Sequence, residues 1–153
     1  MTSLTEEQQE RLDIIIHKLK FMEQRPTVAI IKTLDPVILA ADDTIDLVNM
    51  AGGSLVEGDE QTLLALDPDV VILMPGDMPI AETMANMDVL LLLPGFTNLK
   101  AVKNNRLYIV DGSMLVDDFA ESIVETIELL AEMIHPKQFA FGHEGNGWIR
   151  FSV

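Results

Sequence analysis

A short apolar run that ends in a proline–glycine turn is the feature that most constrains how this chain folds. Residues 70–73 read Val-Val-Ile-Leu, and residues 74–77 read Met-Pro-Gly-Asp. A short, wholly apolar run bounded by turn residues is typical of a strand buried on both faces, as in parallel sheets that helices cover on both sides. Ligands of such sheets bind at the carboxyl ends of the strands, so the turn at 74–77 indicates a candidate binding edge.

Strand patterns alternate with helix patterns along the chain, which predicts a single three-layer α/β domain with a mainly parallel sheet. The predicted strands are 27–32, 70–74 and 107–110, with an edge strand at 148–152 in an aromatic tail. The predicted helices lie within 5–22, 43–51, 60–66, 79–87, 99–102 and 118–135, and the stretch from Gly53 to Asp59 is predicted to be a loop. Residues 89–93 fit either a buried strand or the last turns of the preceding helix, and we favour the helix.

Three of the predicted strands end in small, polar or acidic turns, which would lie side by side along one rim of the sheet. These turns are 32–36, 74–77 and 111–113. The rim predicts a ligand-binding surface rather than a catalytic centre. Its candidate ligand-binding residues are Asp35, Pro75, Gly76, Asp77, Met78 and Ser113. For Asp77 the alternative is a structural role, as a cap for the helix that begins near Pro79.

Charge and composition exclude several classes of function. The 153 residues include 25 acidic and 10 basic side chains, and the formal net charge of −15 would repel nucleic acid and anionic membrane surfaces. The absence of cysteine excludes disulfides and thiolate nucleophiles. The amino terminus lacks the pattern of a signal peptide, and no apolar stretch approaches the roughly 20 residues of a membrane helix. The sequence therefore predicts a cytoplasmic chain that does not insert into a membrane.

No motif in the chain indicates catalysis or a metal centre. The three histidines, His17, His135 and His143, share no metal-ligand spacing, and His135 is expected to be an imidazolium at a helix end. The chain contains neither a nucleophile elbow nor a glycine-rich phosphate loop. We therefore expect a protein that is not an enzyme and that holds neither a metal ion nor a resident cofactor.

Six segments, taken in order, resemble a known family. They are 25–31 (RPTVAII), 34–36 (LDP), 47–53 (LVNMAGG), 66–75 (LDPDVVILMP), 99–112 (LKAVKNNRLYIVDG) and 129–136 (LLAEMIHP). Their order and spacing resemble the carboxyl-terminal lobe of the cobalamin-type and iron-chelate-type substrate-binding proteins of ABC transporters, which are class III periplasmic binding proteins and are often exported. The resemblance covers nearly the whole chain.

The resemblance implies half of a two-lobed protein in which a corrinoid such as cobalamin, or an iron chelate, lies between the lobes. Residues 1–25 would be the end of the helix that joins the lobes, and residues 26–153 would be the lobe itself. Glu57 would be the carboxylate that docks on the transporter. The second wall of the cleft would come from a homodimer or from a separate amino-terminal lobe. The alternative is a structural or interaction protein that has kept the lobe and lost the ligand.

A dimer is also the expectation from the first helix. Its apolar stripe consists of Leu12, Ile15, Ile16 and Leu19, and one lobe is not expected to bury it. Exposed apolar stripes of this kind usually mark interfaces.

Overall fold

Six strands form one sheet in the computed structural model, which describes residues 5–22, 25–34, 37–40, 43–75, 78–111, 119–145 and 147–152. The strands are β1 Thr27–Leu34, β2 Val37–Leu39, β3 Ser54–Leu55, β4 Val70–Leu73, β5 Leu107–Val110 and β6 Trp148–Arg150. The three central strands, β1, β4 and β5, run parallel to one another. β2 (antiparallel) and β3 (parallel) pair with the outer side of β1, and β6 pairs antiparallel with β5. The sheet is thus mainly parallel, as the sequence predicts.

Seven α-helices connect and cover the strands within the described ranges. They are α1 Glu6–Leu19, α2 Asp43–Met50, α3 Glu60–Leu66, α4 Ile80–Ala85, α5 Asp88–Leu91, α6 Lys100–Lys103 and α7 Phe119–Ile134, with a 3-10 turn at Phe96–Asn98. α1 begins at a capping box, in which Thr5 Oγ1 accepts from the Gln8 amide at 3.1 Å and Gln8 Oε1 accepts from the Thr5 amide at 2.9 Å. This reciprocal pair satisfies two backbone donors that the first turn of a helix leaves free.

Side chains of the central strands alternate between two apolar cores. On β4, Val70 and Ile72 face a core shared with α1, α2 and α7, whereas Val71 and Leu73 face a core shared with α3, α5 and α6. All four side chains are 0% exposed. The strand is therefore buried on both faces, which confirms the predicted three-layer α/β arrangement.

Most predicted elements are present, and two short strands are additional. The stretch 89–93 is helical rather than a strand over 89–91, but it belongs to a separate helix, α5, and not to the last turns of α4; α3 and β5 have the predicted bounds. The loop predicted from Gly53 to Asp59 is wrong at Ser54–Leu55, which pairs with Thr27 and Val28. β2 and β3 contain three and two residues. No alternation can be read over so few residues, and these strands form only because β1 offers a free edge.

The apolar stripe of α1 is covered in part by the lobe itself. Leu12 is 5% exposed and Ile15 is 0% exposed, and both belong to the core that α7 shares. The expectation of an uncovered stripe is therefore wrong for these two residues, because α1 packs against α7. Ile16 remains 39% exposed.

Two buried carboxylates on α7 bind both α1 and the carboxyl-terminal tail. Glu128 accepts from Arg11 Nε at 3.1 Å and from Arg11 Nη2, and His143 Nε2 lies 3.1 Å from Glu128 Oε1. Glu132 accepts from the backbone amides of Phe141 and His143 at 3.1 and 3.3 Å. Glu128 and Glu132 are 3% and 4% exposed. A buried carboxylate without partners would be strongly unfavourable, so these contacts fix where α1 and the tail lie.

Gly52 ends α2 and provides a test of close packing. Its φ is +92°, and a Cβ there would lie 2.5 Å from Leu19 Cδ2 and 2.8 Å from His135 Nε2. Gly142 has a similar φ of +89° but no atom within 4 Å of a Cβ. Alanine at either position would have to adopt a left-handed backbone conformation, which is unfavourable, but only at position 52 would its Cβ also clash with neighbouring side chains. We predict that Gly52→Ala lowers the free energy of unfolding by about 1 to 3 kcal/mol more than Gly142→Ala in urea titrations. Equal losses for the two variants would contradict the close contact.

Candidate functional site

The predicted rim lies where the three parallel strands end. Ile31 on β1 is in register with Leu73 on β4, and Leu73 is in register with Ile109 on β5. β4 and β5 therefore end at the same edge of the sheet, and β1, which runs in the same direction, continues past that edge to Leu34 before the chain returns as β2. The Met74 amide donates to the Ile31 carbonyl at 3.1 Å, which extends the pairing of β1 and β4 by one residue.

The turn after β4 is anchored by Pro75. Pro75 is buried, whereas Met74 and Met78 on either side of the turn are half-buried. The Met78 amide donates to the Pro75 carbonyl at 3.1 Å, which links the described residues on either side of positions 76–77. Pro79 then occupies the cap position of α4, where it makes no side-chain hydrogen bond.

The structure describes three of the sequence-predicted site residues. Pro75 and Met78 lie at the rim, and Glu57 is exposed between β3 and α3 on the outer side of the sheet. The other four predicted ligand-binding residues, Asp35, Gly76, Asp77 and Ser113, lie outside the described residues.

Neither a metal centre nor a membrane-spanning helix is found in the part of the chain that the structure describes. In these ranges no three His, Asp or Glu side chains are grouped so that they could hold a metal ion. No described helix combines the length and apolar character that crossing a bilayer requires.

A groove of about 690 Å³, here called the basal groove, lies at the edge opposite the rim, where β1 and β5 begin and α7 ends. The described residues that line it are Phe21, Met22, Pro26, Asn104, Asn105, Arg106, Tyr108, Ile134, His135, Pro136, Lys137, Gln138 and Arg150. Sequence reasoning missed this groove. The available signal was the position of cationic residues just before two strands, at Arg25 and Arg106, and of a histidine just after α7, at His135.

Cationic and imidazole donors near the groove bind the carboxyl ends of two helices. Arg106 Nη2 donates to the Ile134 carbonyl and, at 3.2 Å, to the Met133 carbonyl at the end of α7. Arg25 Nη1 donates to the carbonyls of Asn49 and Gly53 at the end of α2, at 3.0 and 3.2 Å. The last carbonyls of a helix carry partial negative charge and lack partners within the helix, so these donors stabilise both helix ends.

His135 links the ends of α2 and α7. Its Nε2 lies 3.0 Å from the Gly52 carbonyl oxygen, and since a carbonyl only accepts, Nε2 carries the proton. Burial lowers the pKa of His135 below its usual value, the hydrogen bond to Gly52 opposes this shift, and the positive charges of Arg106 and Arg25 add to it. The expectation of an imidazolium at this helix end is therefore wrong, because the buried site favours the neutral ring.

The lowered pKa of His135 predicts a pH-dependent stability. In the pH range between the lowered pKa of the folded chain and the ordinary imidazole pKa of 6.5, the unfolded chain binds more protons at His135 than the folded chain does. The free energy of unfolding should therefore fall as the pH is lowered from about 7.5 towards about 5. We predict that His135→Gln, which keeps a donor for the Gly52 carbonyl, flattens this slope in urea titrations. The control His17→Gln changes an exposed histidine and should retain the slope. A slope that persists in His135→Gln would contradict a neutral His135.

Comparison with known proteins identifies the fold. No protein-family model matches this chain, and no curated protein matches it by sequence. Solved structures match with TM-scores up to 0.72 among those compared, at 16–20% identity for the three described next.

An ABC transporter substrate-binding protein from Listeria monocytogenes EGD-e matches with a TM-score of 0.72 and 20% identity over 86% of this chain and 55% of that one. The TroA-like periplasmic binding protein FepB from Veillonella parvula matches with a TM-score of 0.68 and 16% identity, over 86% of this chain and 46% of that one. S. aureus IsdE, complexed with heme, matches with a TM-score of 0.66 and 20% identity, over 83% of this chain and 54% of that one. The chain thus spans about half the length of these proteins and has the fold of one of their lobes.

Proposed function

We propose that this chain is a non-enzymatic binding lobe whose rim forms one wall of a site for a metal chelate. The observation that supports the proposal is the shared parallel register of β1, β4 and β5, in which the three strands run towards one edge of the sheet. Ligands of parallel sheets bind at that edge. We take the ligand class, a metal chelate, from S. aureus IsdE, a protein of similar fold whose structure was determined in complex with heme.

The rim residues favour a chelate that carries hydrogen-bond donors. Asp35 and Asp77 would present carboxylates, which accept from N–H groups and repel other carboxylates. A corrinoid such as cobalamin carries amide N–H groups, whereas heme carries two carboxylates. Met74 and Met78, half-buried beside the turn, offer adaptable thioethers to a large ligand, and Pro75, Gly76 and Ser113 would complete the wall.

A single wall leaves much of a ligand exposed. Pockets usually bury about 70 to 90% of a ligand's surface, so we propose that a second copy of this chain, or a separate amino-terminal lobe, provides the other wall. Glu57, exposed on the outer side of the sheet, is our candidate for contact with a transporter.

A second candidate function is an interaction protein that uses the lobe without a ligand. The exposed apolar side chains on the α3 and α5 side of the sheet favour it, because Leu92 is 82% exposed and Leu66 is 59% exposed. We propose that these side chains belong to one apolar patch, since such patches mark protein contacts.

Substitution of Asp77 tests the ligand proposal. We expect cobinamide to bind with a dissociation constant below about 1 mM, and Asp77→Asn to weaken it about tenfold, since the ligand's amide donors lose a charged acceptor. Hemin should not lose affinity, because the variant removes a negative charge that faces its carboxylates. The melting temperature should stay unchanged, because Pro79 occupies the cap position of α4 and residue 77 precedes it in the chain.

The matched control is Asp46→Asn on α2, an exposed aspartate away from the rim, which should leave cobinamide binding unchanged. Calorimetry or absorbance titration provides the affinities. Absence of cobinamide and hemin binding in the unaltered protein would favour the interaction protein, and equal binding by Asp77→Asn would exclude Asp77 from the site.

The dimer has its own test. We expect sedimentation at tens of micromolar protein to show two chains per cobinamide, since a two-fold pair presents the rim twice. A saturated complex of one chain with one ligand would contradict the homodimer.

A further inference from the structure

We propose that the basal groove is a second binding site, which takes a small organic anion with an apolar body and holds its carboxylate, phosphate or sulfonate group with Arg106, Lys137 and Arg150. This groove lies at the amino ends of the parallel strands, and the rim lies at their carboxyl ends. The two sites are therefore separate, and either could exist without the other.

The charge of the groove is opposite to that of the protein. The chain carries 25 acidic and 10 basic residues, yet the described lining includes Arg106, Lys137 and Arg150 and no Asp or Glu. The ion pairs of the described ranges are Arg11–Glu128, Lys100–Asp69 and His143–Glu128, none of which involves these three cations. Unpaired cations along a concave surface attract anions, and the surrounding low-dielectric walls strengthen the field.

Acidic side chains lie beside the groove but leave Arg150 unpaired. Glu132 and Glu144 line a neighbouring cavity of about 410 Å³ that shares Arg150. Glu132 is already occupied by two backbone amides of the tail. No ion pair joins Arg150 to either carboxylate in the part of the chain that the structure describes.

Tyr108 supplies an independent indication of an absent acceptor. Its side chain lines the groove, is 0% exposed, and has a hydroxyl with no hydrogen-bond partner among the described residues. Buried hydroxyls are nearly always hydrogen-bonded. The Arg150 guanidinium lies over the Tyr108 ring, 5.7 Å from its centre, so an aromatic face holds this cation beside the groove and leaves its N–H donors for a ligand.

Arg106 is positioned in advance of binding. Two carbonyls at the end of α7 hold its Nη2, which fixes the guanidinium plane and leaves its other donors for a ligand. Phe21, Met22, Ile134 and Pro136 provide the apolar part of the lining, and Phe21 is 77% exposed. An aromatic or aliphatic ligand body would cover this surface, so the groove fits an amphipathic anion better than inorganic phosphate alone.

The experiment uses 8-anilinonaphthalene-1-sulfonate as the probe and N-phenyl-1-naphthylamine, which lacks the sulfonate, as its neutral counterpart. Amide NMR shifts of the full chain locate the probe, and fluorescence gives its affinity. We expect shifts in 104–108 and 134–138, and at least tenfold weaker binding of the neutral counterpart. Arg150→Gln should weaken the sulfonate probe about fivefold to tenfold, and Tyr108→Phe about threefold.

Lys32→Gln is the matched control, because it removes one positive charge from an exposed position on β1 outside the groove. It should change the affinity less than about twofold, and Asp77→Asn should leave it unchanged. Equal weakening by Arg150→Gln and Lys32→Gln, equal binding of the neutral counterpart, or shifts outside the groove would each overturn the proposal. Melting curves and amide spectra confirm that each variant is folded, and Arg106 is left intact because it also caps α7.

Discussion

The burial of β4 on both faces is the constraint on which the rest of this structure depends. A strand whose four side chains are all 0% exposed requires helices above and below it, and those helices require parallel neighbours with crossover connections. Because both faces of the sheet are covered, polar chemistry is confined to the two ends of the strands. The rim occupies one end and the basal groove occupies the other, so the two candidate sites are consequences of the same buried strand.

The elements that could be predicted are those whose signals are local. The apolar run at 70–73, the pattern that ends at Leu66, and the turn before Leu107 determine β4, α3 and β5 from their own residues. β2 and β3 could not be predicted because their pairing with β1 comes from tertiary contacts, over lengths at which periodicity is unreadable.

The candidate sites divide in the same way. The common edge at which β4 and β5 end could be predicted, because strand ends that follow buried runs lie at one edge of a parallel sheet, and the binding role of the rim stays a prediction. The basal groove could not, since Met22, Arg106, His135 and Arg150 are far apart in the sequence and meet only in the fold. The neutral state of His135 also depends on burial and on two arginines that no sequence spacing indicates. The helix end alone predicts a charged imidazole at His135, whereas burial in the folded chain favours the neutral ring.

The short outer strands have a consequence for how copies of this protein behave at high concentration. A sheet with a long, flat, exposed outer strand templates the addition of strands from other molecules and leads to aggregates. Here the edge strands β2 and β6 contain three residues each and therefore present little free backbone for intermolecular pairing. Arg150 adds an exposed charge on β6, which further disfavours pairing of this edge with a strand of another molecule. The two edge strands, β2 and β6, thus limit aggregation of a protein whose core strands are rich in β-branched, aggregation-prone segments.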